Sequence, residues 1–301
     1  MQIKGKEGIT ARIIQDSRAN GKRITTFELD YPRFIHSELM THRMFSRNAA
    51  SSRAIPVEKM HEHILNNPAM PVYWGKNQAG MQAKEELIGG PLDLVKALWH
   101  SAKESMLFTA KELRDEGLHK QISNRLTEPF QMMKTVVTAT EWDNWFELRN
   151  HEDAQPEIHE LAKIMYEAMQ VSTPMELYNT EWHLPYIIRT RSIISGMVYN
   201  DSNNTILTLE EAQMVSASCC AQVSYRKSDD TLDKAKMVFD RLINSKPMHA
   251  SPIEHQAKPM QVLLVENNRR ATLEKGVTHI TTDGRLGSGN FYGWIQYRQF
   301  I

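Results

Sequence analysis

Apolar and polar positions alternate near the start of the chain in two β-branched runs, Ile9-Thr-Ala-Arg-Ile-Ile14 and Ile24-Thr-Thr-Phe-Glu-Leu29. A period of two predicts strands, and Asn20-Gly21 between the runs supplies the positive φ angles of a tight turn, so residues 9–30 read as a β-hairpin. Pro32 ends the second strand, 33–42 reads as a short helix, and Ser46 to Arg53 reads as a polar loop. Residues 57–90 carry several Pro and Gly with no clear period and read as a long surface excursion. A helical period then sets in. Val95, Leu98, Trp99, Ala102, Met106, Ala110 and Leu113 recur at steps of three and four over 92–116, and Gly117 is placed to end that helix. A second helix begins near Pro156, a residue suited to a first helical position, with Ile158, Leu161, Ala162, Met165, Ala168 and Met169 on its apolar face. Thr208-Leu-Glu-Glu211 predicts a capping box opening a third helix. Asp230 is placed to cap a fourth, with Leu232, Ala235, Phe239 and Leu242 inward. There is no repeat and no low-complexity linker. The pattern predicts one α+β domain over 1–301, an antiparallel or mixed sheet flanked by long helices.

Charge narrows the function. Lys+Arg and Asp+Glu are both 36, a formal net charge of zero, whereas a generic nucleic-acid binder carries a basic excess, so no stable nucleic-acid partner is expected. The two cysteines, Cys219 and Cys220, are adjacent, which excludes a disulfide framework and suits a reducing compartment. On an apolar helix they read as small core residues. The first residues lack an apolar h-region, and no apolar run approaches the ~20 residues of a bilayer span, so the expectation is a soluble cytoplasmic protein with no membrane partner.

Three stretches carry candidate chemistry. In Thr41-His-Arg-Met-Phe-Ser-Arg-Asn-Ala-Ala-Ser-Ser-Arg53, three arginines (Arg43, Arg47, Arg53) alternate with hydroxyl and amide residues. Arginine forks bind phosphate bidentately and hydroxyls complete such a cradle, although a solvated basic loop has the same composition. In Trp145-Phe-Glu-Leu-Arg-Asn-His-Glu-Asp-Ala-Gln-Pro-Glu157, Arg149 sits among aromatics and acids, suited either to a planar heterocycle or to an ion pair with Glu147 or Asp153. In His249-Ala-Ser-Pro-Ile-Glu-His255, two histidines and a glutamate hint at metal, but Pro252 opposes a regular helix and no Cys or third His is near; no metal is expected.

Together these stretches resemble the flavin-dependent thymidylate synthases. The first is similar to the family signature R-H-R-x-x-S-x-N-E-x-S-x-R, matched by His42, Arg43, Ser46, Asn48, Ser51 and Arg53. The second resembles F-L-x-L-R-x-x-x-H-A-Q-x-E-I, matched by Phe146, Leu148, Arg149, Ala154, Gln155, Glu157 and Ile158. Arg125-Leu-Thr-Glu-Pro129 is similar to R-x-x-L-P. The third resembles H-E-T-P-F-E-H, with His249, Pro252, Glu254 and His255 identical and Ser251 for Thr; Ala221-Gln-Val-Ser-Tyr225 looks like the A-R-V-S-F that precedes it. In the family these last two elements come first. Here they come last, so 214–260 resembles the family's N-terminal part in permuted order. The sequence also departs from the pattern: Thr41 and Ala49 replace an Arg and a Glu of the signature, Glu38 a Gln, Asp153 a His, and Thr138-Ala-Thr140 the flavin-contacting N-x-R.

The resemblance implies reductive methylation of dUMP to dTMP, with FAD as cofactor and methylenetetrahydrofolate and NADPH as co-substrates. It implies that Arg149 is catalytic, stabilising charge on the pyrimidine ring. It places Ser51, Arg53, Arg125, Glu38 and Arg149 around the nucleotide and His42, Arg43, Asn144, His249, Ser251 and Glu254 around the flavin. It also implies a homotetramer with sites shared between chains. Three alternatives stay open: the same chemistry on dCMP or with a hydroxymethyl product, a non-catalytic binder of single-stranded nucleic acid, and a metal hydrolase using His249 and His255.

Overall fold

The computed structural model describes residues 2–194, 196–224, 229–261 and 273–301; Tyr225 of the Ala221–Tyr225 motif lies outside the described residues. Strands β1 (Gln2–Lys4), β2 (Thr10–Ala19) and β3 (Lys22–Pro32) open the chain. The predicted hairpin forms, with φ of 50° at Asn20 and 74° at Gly21 turning β2 into β3. The predicted helix over 33–42 forms over 33–39, as a 3-10 turn (Arg33–Ile35) running into α1 (His36–Leu39), and the Thr41 hydroxyl donates to the Glu38 carbonyl at 2.6 Å to close the last turn.

Two expectations for the next stretch are corrected. The polar loop begins as an edge strand, β4 (Ser46–Ala49), and the excursion begins as a helix, α2 (Val57–Asn66). The helix buries Val57, Met60 and Ile64, a three-then-four spacing hidden in the sequence by the charged and histidine residues between them. Helix α3 (Gly90–Asp115) forms as predicted and ends before Gly117, whose φ is 89°. Trp99, Met106 and Ala110 of the expected face pack inward, joined by Lys103 and Leu107, whereas Leu98 is 59% exposed. There follow α4 (Lys120–Ser123), β5 (Met132–Ala139), α5 (Asp143–Arg149) and α6 (Pro156–Val171). Helix α6 buries the predicted Ile158, Leu161, Ala162, Met165 and Ala168.

Short strands β6 (Met175–Glu176), β7 (Ile188–Ser192), β8 (Gly196–Asn200) and β9 (Ile206–Leu207) precede α7 (Leu209–Ala221) and α8 (Leu232–Asn244). The capping box of α7 is present, with Thr208 and Glu211 each bonding the other's backbone N–H. The N-cap of α8 is Thr231 rather than Asp230. The Asp230 carboxylate instead accepts from the Ser202 N–H and hydroxyl at 2.7 and 3.0 Å, a partner too distant in sequence to anticipate. The chain closes with β10 (Ala257–Pro259), β11 (His279–Ile280), β12 (Leu286–Ser288), β13 (Phe291–Tyr292) and β14 (Trp294–Gln296). Among the described residues no helix is long and apolar enough to cross a membrane.

The central sheet runs β1-β2-β3-β5-β4, antiparallel throughout that path, with β6 joined parallel to β2. Its register sets Thr26, Thr138 and Ser46 in one row and Phe27, Val137 and Arg47 in the next. Because successive strand residues point to opposite faces, the sheet has two unlike sides. On one side Phe27, Leu29, Val137 and Ala139 pack against Trp142, Trp145 and the apolar face of α6, forming the main core. Each large side chain fully buried there contributes roughly 1.5–3 kcal/mol. The other side presents Thr26, Thr138, Glu28, Val136 and Asn48, and is covered by the 182–187 segment, α7 and the 253–257 segment.

Candidate functional site

The signature strand β4 serves both sides of the sheet. Arg47 turns toward the α6 side and donates to the carbonyls of Met40, His42 and Leu39 at 2.8, 3.3 and 3.5 Å. The Leu39 and His42 carbonyls also receive the backbone N–H groups of His42 and Phe45, and a guanidinium fork is suited to gathering several such carbonyls just after α1. Ser46 and Asn48 point the other way. The Asn48 amide donates to the Cys220 carbonyl at 2.8 Å, and the Ser46 hydroxyl receives the Gln296 amide at 3.1 Å.

With the loop fixed in this way, Arg149 at the end of α5 meets it. Its Nη1 donates to the Glu38 carboxylate at 3.0 Å, its Nε to His42 Nε2 at 3.1 Å, and its Nη2 to the Thr41 hydroxyl at 3.4 Å. The neighbours Glu147 and Asp153, expected as rival ion-pair partners, are not the ones it uses. An Nε–H donor from Arg149 requires a lone pair on His42 Nε2, which makes His42 a neutral Nδ1–H tautomer. Burial first, then the Arg149 and Arg47 cations, hold its pKa down at about 4, with Asn144 as a hydrogen-bond partner pulling the other way. Trp145 stands edge-on to the imidazole at 4.8 Å between centroids and backs it with apolar surface.

Glu38 and Arg149 face a cleft of about 520 Å³ whose other walls are Tyr73, Gly75, Met81–Ala83 and Asp153–Pro156. The irregular part of the predicted excursion thus forms one wall of the cleft, and Gln82 bonds across to the Asp153 carbonyl. Three of the five guanidinium N–H groups of Arg149 are engaged, so two remain to meet a bound group.

A second set lies around the end of the signature. The Ser51 N–H donates to the Ser224 hydroxyl at 3.0 Å. The buried Asn124 amide donates to the Ser52 and Ile55 carbonyls at 2.8 and 2.9 Å, which brings the segment of Arg125 to the loop of Ser51 and Arg53. Arg53 is exposed without an ion-pair partner among the described residues, and Arg125 pairs with Glu128 at 2.7 Å. Asn124 gave no sequence signal because a single buried amide has no periodicity.

The third set is the 249–255 segment. A single turn of 3-10 helix over Ser251–Ile253 sits beside β4, so this segment adjoins the signature within one chain. The Glu254 carboxylate meets Arg298, and its carbonyl receives the Gln296 amide at 3.2 Å. His249 and Ser251 are exposed, and His255 is fully buried. Gln296, Asn290 and Arg298, which hold this segment and β4 together, were missed by sequence reasoning because they belong to no motif. Thr138, in the Thr138-Ala-Thr140 stretch, is turned into the polar side of the sheet. Cys219 and Cys220 are buried, and burial pushes both thiols well above their ordinary range. Among the described residues no cluster of three or more His, Cys, Asp or Glu is arranged to hold a metal ion.

The arrangement therefore offers a guanidinium on a cleft, held from behind by a neutral imidazole, a surface bearing Arg53 without an ion pair among the described residues and Arg125 paired with Glu128, and an acid anchored beside the signature strand. The model of the thymidylate synthase complementing protein family matches residues 23–175, just over half of the chain. The match takes in the signature, Arg125 and Arg149, and stops before 214–260. A search of the curated proteins found no match.

Proposed function

The chain belongs to the thymidylate synthase complementing protein family of flavin-dependent enzymes, and from that premise we propose that it methylates C5 of dUMP with methylenetetrahydrofolate as carbon donor, FAD as cofactor and NADPH as reductant. The observation that carries the proposal is the convergence of Arg149 with Glu38, Thr41 and His42, more than a hundred positions apart in sequence, with Arg149 and Glu38 lining one cleft.

The residues present fit a flavin by their donor set. Exposed Arg43 supplies a cation and exposed Asn144 an amide, while neutral His42, backed by Trp145, adds no charge of its own. Such a lining suits an uncharged planar ring carrying an anionic tail. His42, Arg43, Asn144, His249, Ser251 and Glu254 would hold the cofactor, whose chemistry is relay of the one-carbon unit and delivery of hydride.

Arg149 acts on the pyrimidine. Making C5 nucleophilic enough to take up the carbon unit builds negative charge on the ring carbonyls, and a cation already held by three partners stabilises that charge without reorganising. Glu38 and His42 fix its plane. The same pair supports uracil over cytosine: Arg149 offers donors beside a Glu38 acceptor, and the uracil edge offers a carbonyl oxygen beside N3–H. Cytosine places a lone pair at N3, against the carboxylate. Ser51, Arg53 and Arg125 would take the phosphate. Those residues and the Arg149 cleft form separate parts of one chain, which supports a homo-oligomer, a tetramer in this reading, with sites completed by a neighbouring chain. Ser46, Asn48 and the 249–255 segment meeting on one side of β4 supports reading 214–260 as the family's N-terminal part in permuted order.

The test is the visible spectrum of the purified protein with FAD, followed by mass analysis of products from dUMP and dCMP. The expected results are a bound flavin and a dUMP product heavier by one CH2. A protein that takes up no FAD with either nucleotide present refutes the proposal, and a product heavier by CH2O replaces methylation with hydroxymethylation.

A further inference from the structure

Six residues on the polar side of the sheet, none in the cleft, form an unbroken line. Arg189 Nη1 donates to the Ser17 hydroxyl at 3.0 Å, and Ser17 lies 2.8 Å from His183 Nδ1. His183 Nε2 lies 2.8 Å from the Thr26 hydroxyl, Thr26 lies 2.7 Å from Thr138, and Thr138 lies 2.8 Å from His255 Nδ1. All except Arg189 are fully buried, and His255 Nε2 has no partner among the described residues.

The ends of the line decide its direction. A guanidinium only donates, so Ser17 accepts from Arg189, and its own proton has one acceptor within reach, His183 Nδ1. His183 then carries its proton on Nε2 and donates to Thr26, which donates to Thr138, which donates to His255 Nδ1. Reversing the line strands the Ser17 proton as well as His255 Nε2, and a stranded buried polar group costs about 1–3 kcal/mol. The forward order strands one group, the reverse order two. Both imidazoles are neutral, as burial requires of them.

We infer that Arg189 orders these protons in one direction and thereby locks His255 as its Nε2–H tautomer, making His255 the positioning residue that seats the 249–254 segment against the signature strand. The line ties β2, β3, β5 and the 182–187 segment to His255, one residue from Glu254, whose carbonyl and carboxylate are held by Gln296 and Arg298. The consequence for cofactor binding rests on the function proposed above; the proton order does not.

Neutron diffraction from deuterium-exchanged crystals of the full chain tests the order directly. Deuterium is expected on Nε2 of both His183 and His255, with the Ser17, Thr26 and Thr138 hydroxyls all pointing toward His255. Deuterium on Nδ1 of either histidine overturns the inference. FAD titration tests the positioning role. Thr26→Val, which breaks the line, should weaken FAD binding by about tenfold, whereas Thr26→Ser, which keeps the hydroxyl, should stay within about twofold of the parent. Equal loss in both variants, or none in Thr26→Val, overturns it. A parent chain that binds no FAD refutes the proposed function and leaves the neutron result to decide the proton order.

Discussion

Acidification from about pH 7 to about pH 5.5 should destabilise this fold steeply, chiefly through three imidazoles held neutral, with His36 and His61 lowered by burial in the same direction. His42 is lowered to about 4 and His255 to about 3, and His183 falls well below its ordinary value, in each case chiefly by burial. Arg149 and Arg47 add to the effect at His42, and Arg189 and His255 add to it at His183. In the unfolded chain each returns to a pKa of about 6.5, so between the folded and unfolded values only the unfolded chain binds the proton. The stabilisation is complete above the unfolded value and is lost as pH falls toward the folded one. At about pH 5.5 roughly nine-tenths of unfolded imidazoles are protonated, which costs the folded state about 1.3 kcal/mol for each of His42 and His255, about 2.6 kcal/mol for the pair, with His183 acting in the same direction. Domain stabilities run to roughly 5–15 kcal/mol, so the change is large. Asp30 opposes it: burial raises that carboxyl, so the folded chain holds a proton the unfolded chain releases, offsetting at most about one. Urea unfolding by tryptophan fluorescence across this range should therefore report uptake of about two to three protons on unfolding. A stability that changes by less than about 1 kcal/mol, or that rises on acidification, would show that these imidazoles are not held neutral.

Steady-state kinetics on Arg149→Ala should show turnover down by at least about 100-fold with the protein still yellow, because the loss is of charge stabilisation at the ring. Arg149→Lys should not recover it, since one ammonium cannot engage Glu38, Thr41 and His42 in a single plane. Changing Cys219 and Cys220 together to Ala should leave turnover within about threefold, and a thiol reagent should label neither cysteine until urea is added. Glu38→Gln should narrow the preference for dUMP over dCMP, measured as the ratio of kcat/KM, because the amide presents a donor to N3 as readily as an acceptor.

Much of the fold was legible wherever one residue type forces one backbone. Asn20-Gly21 allowed little but a tight turn, the α6 stripe had a single apolar face, and Thr208 with Glu211 formed the capping box their spacing demands. Strand β4 was not legible, because Ser-Arg-Asn-Ala shows no apolar alternation; its two faces are satisfied by carbonyls, amides and hydroxyls supplied from elsewhere. The α3 face was legible except at its edge, where Leu98 and Ala102 are exposed, because apolar residues such as Leu94 and Phe108 also stand on the exposed side and blur the periodic signal. In the cleft, Arg149, His42 and Glu38 were named from motifs, but their mutual bonding was not. Ser17, Thr26, His183 and Arg189 left no local pattern, since each is a single polar residue whose partner lies on another strand or segment.

The four residues of β4 also set how this region tolerates change. Arg47 and Ala49 belong to the layer of α5 and α6, and Ser46 and Asn48 to the layer of α7 and β14. A substitution at any one of them damages one layer and leaves the other intact. Loss or gain of a single residue ahead of them exchanges the two sets, sending a guanidinium among the buried hydroxyls and an amide among the tryptophans. Variation in this stretch is therefore confined to changes of letter, and its length is as fixed as the thickness of the sheet it passes through.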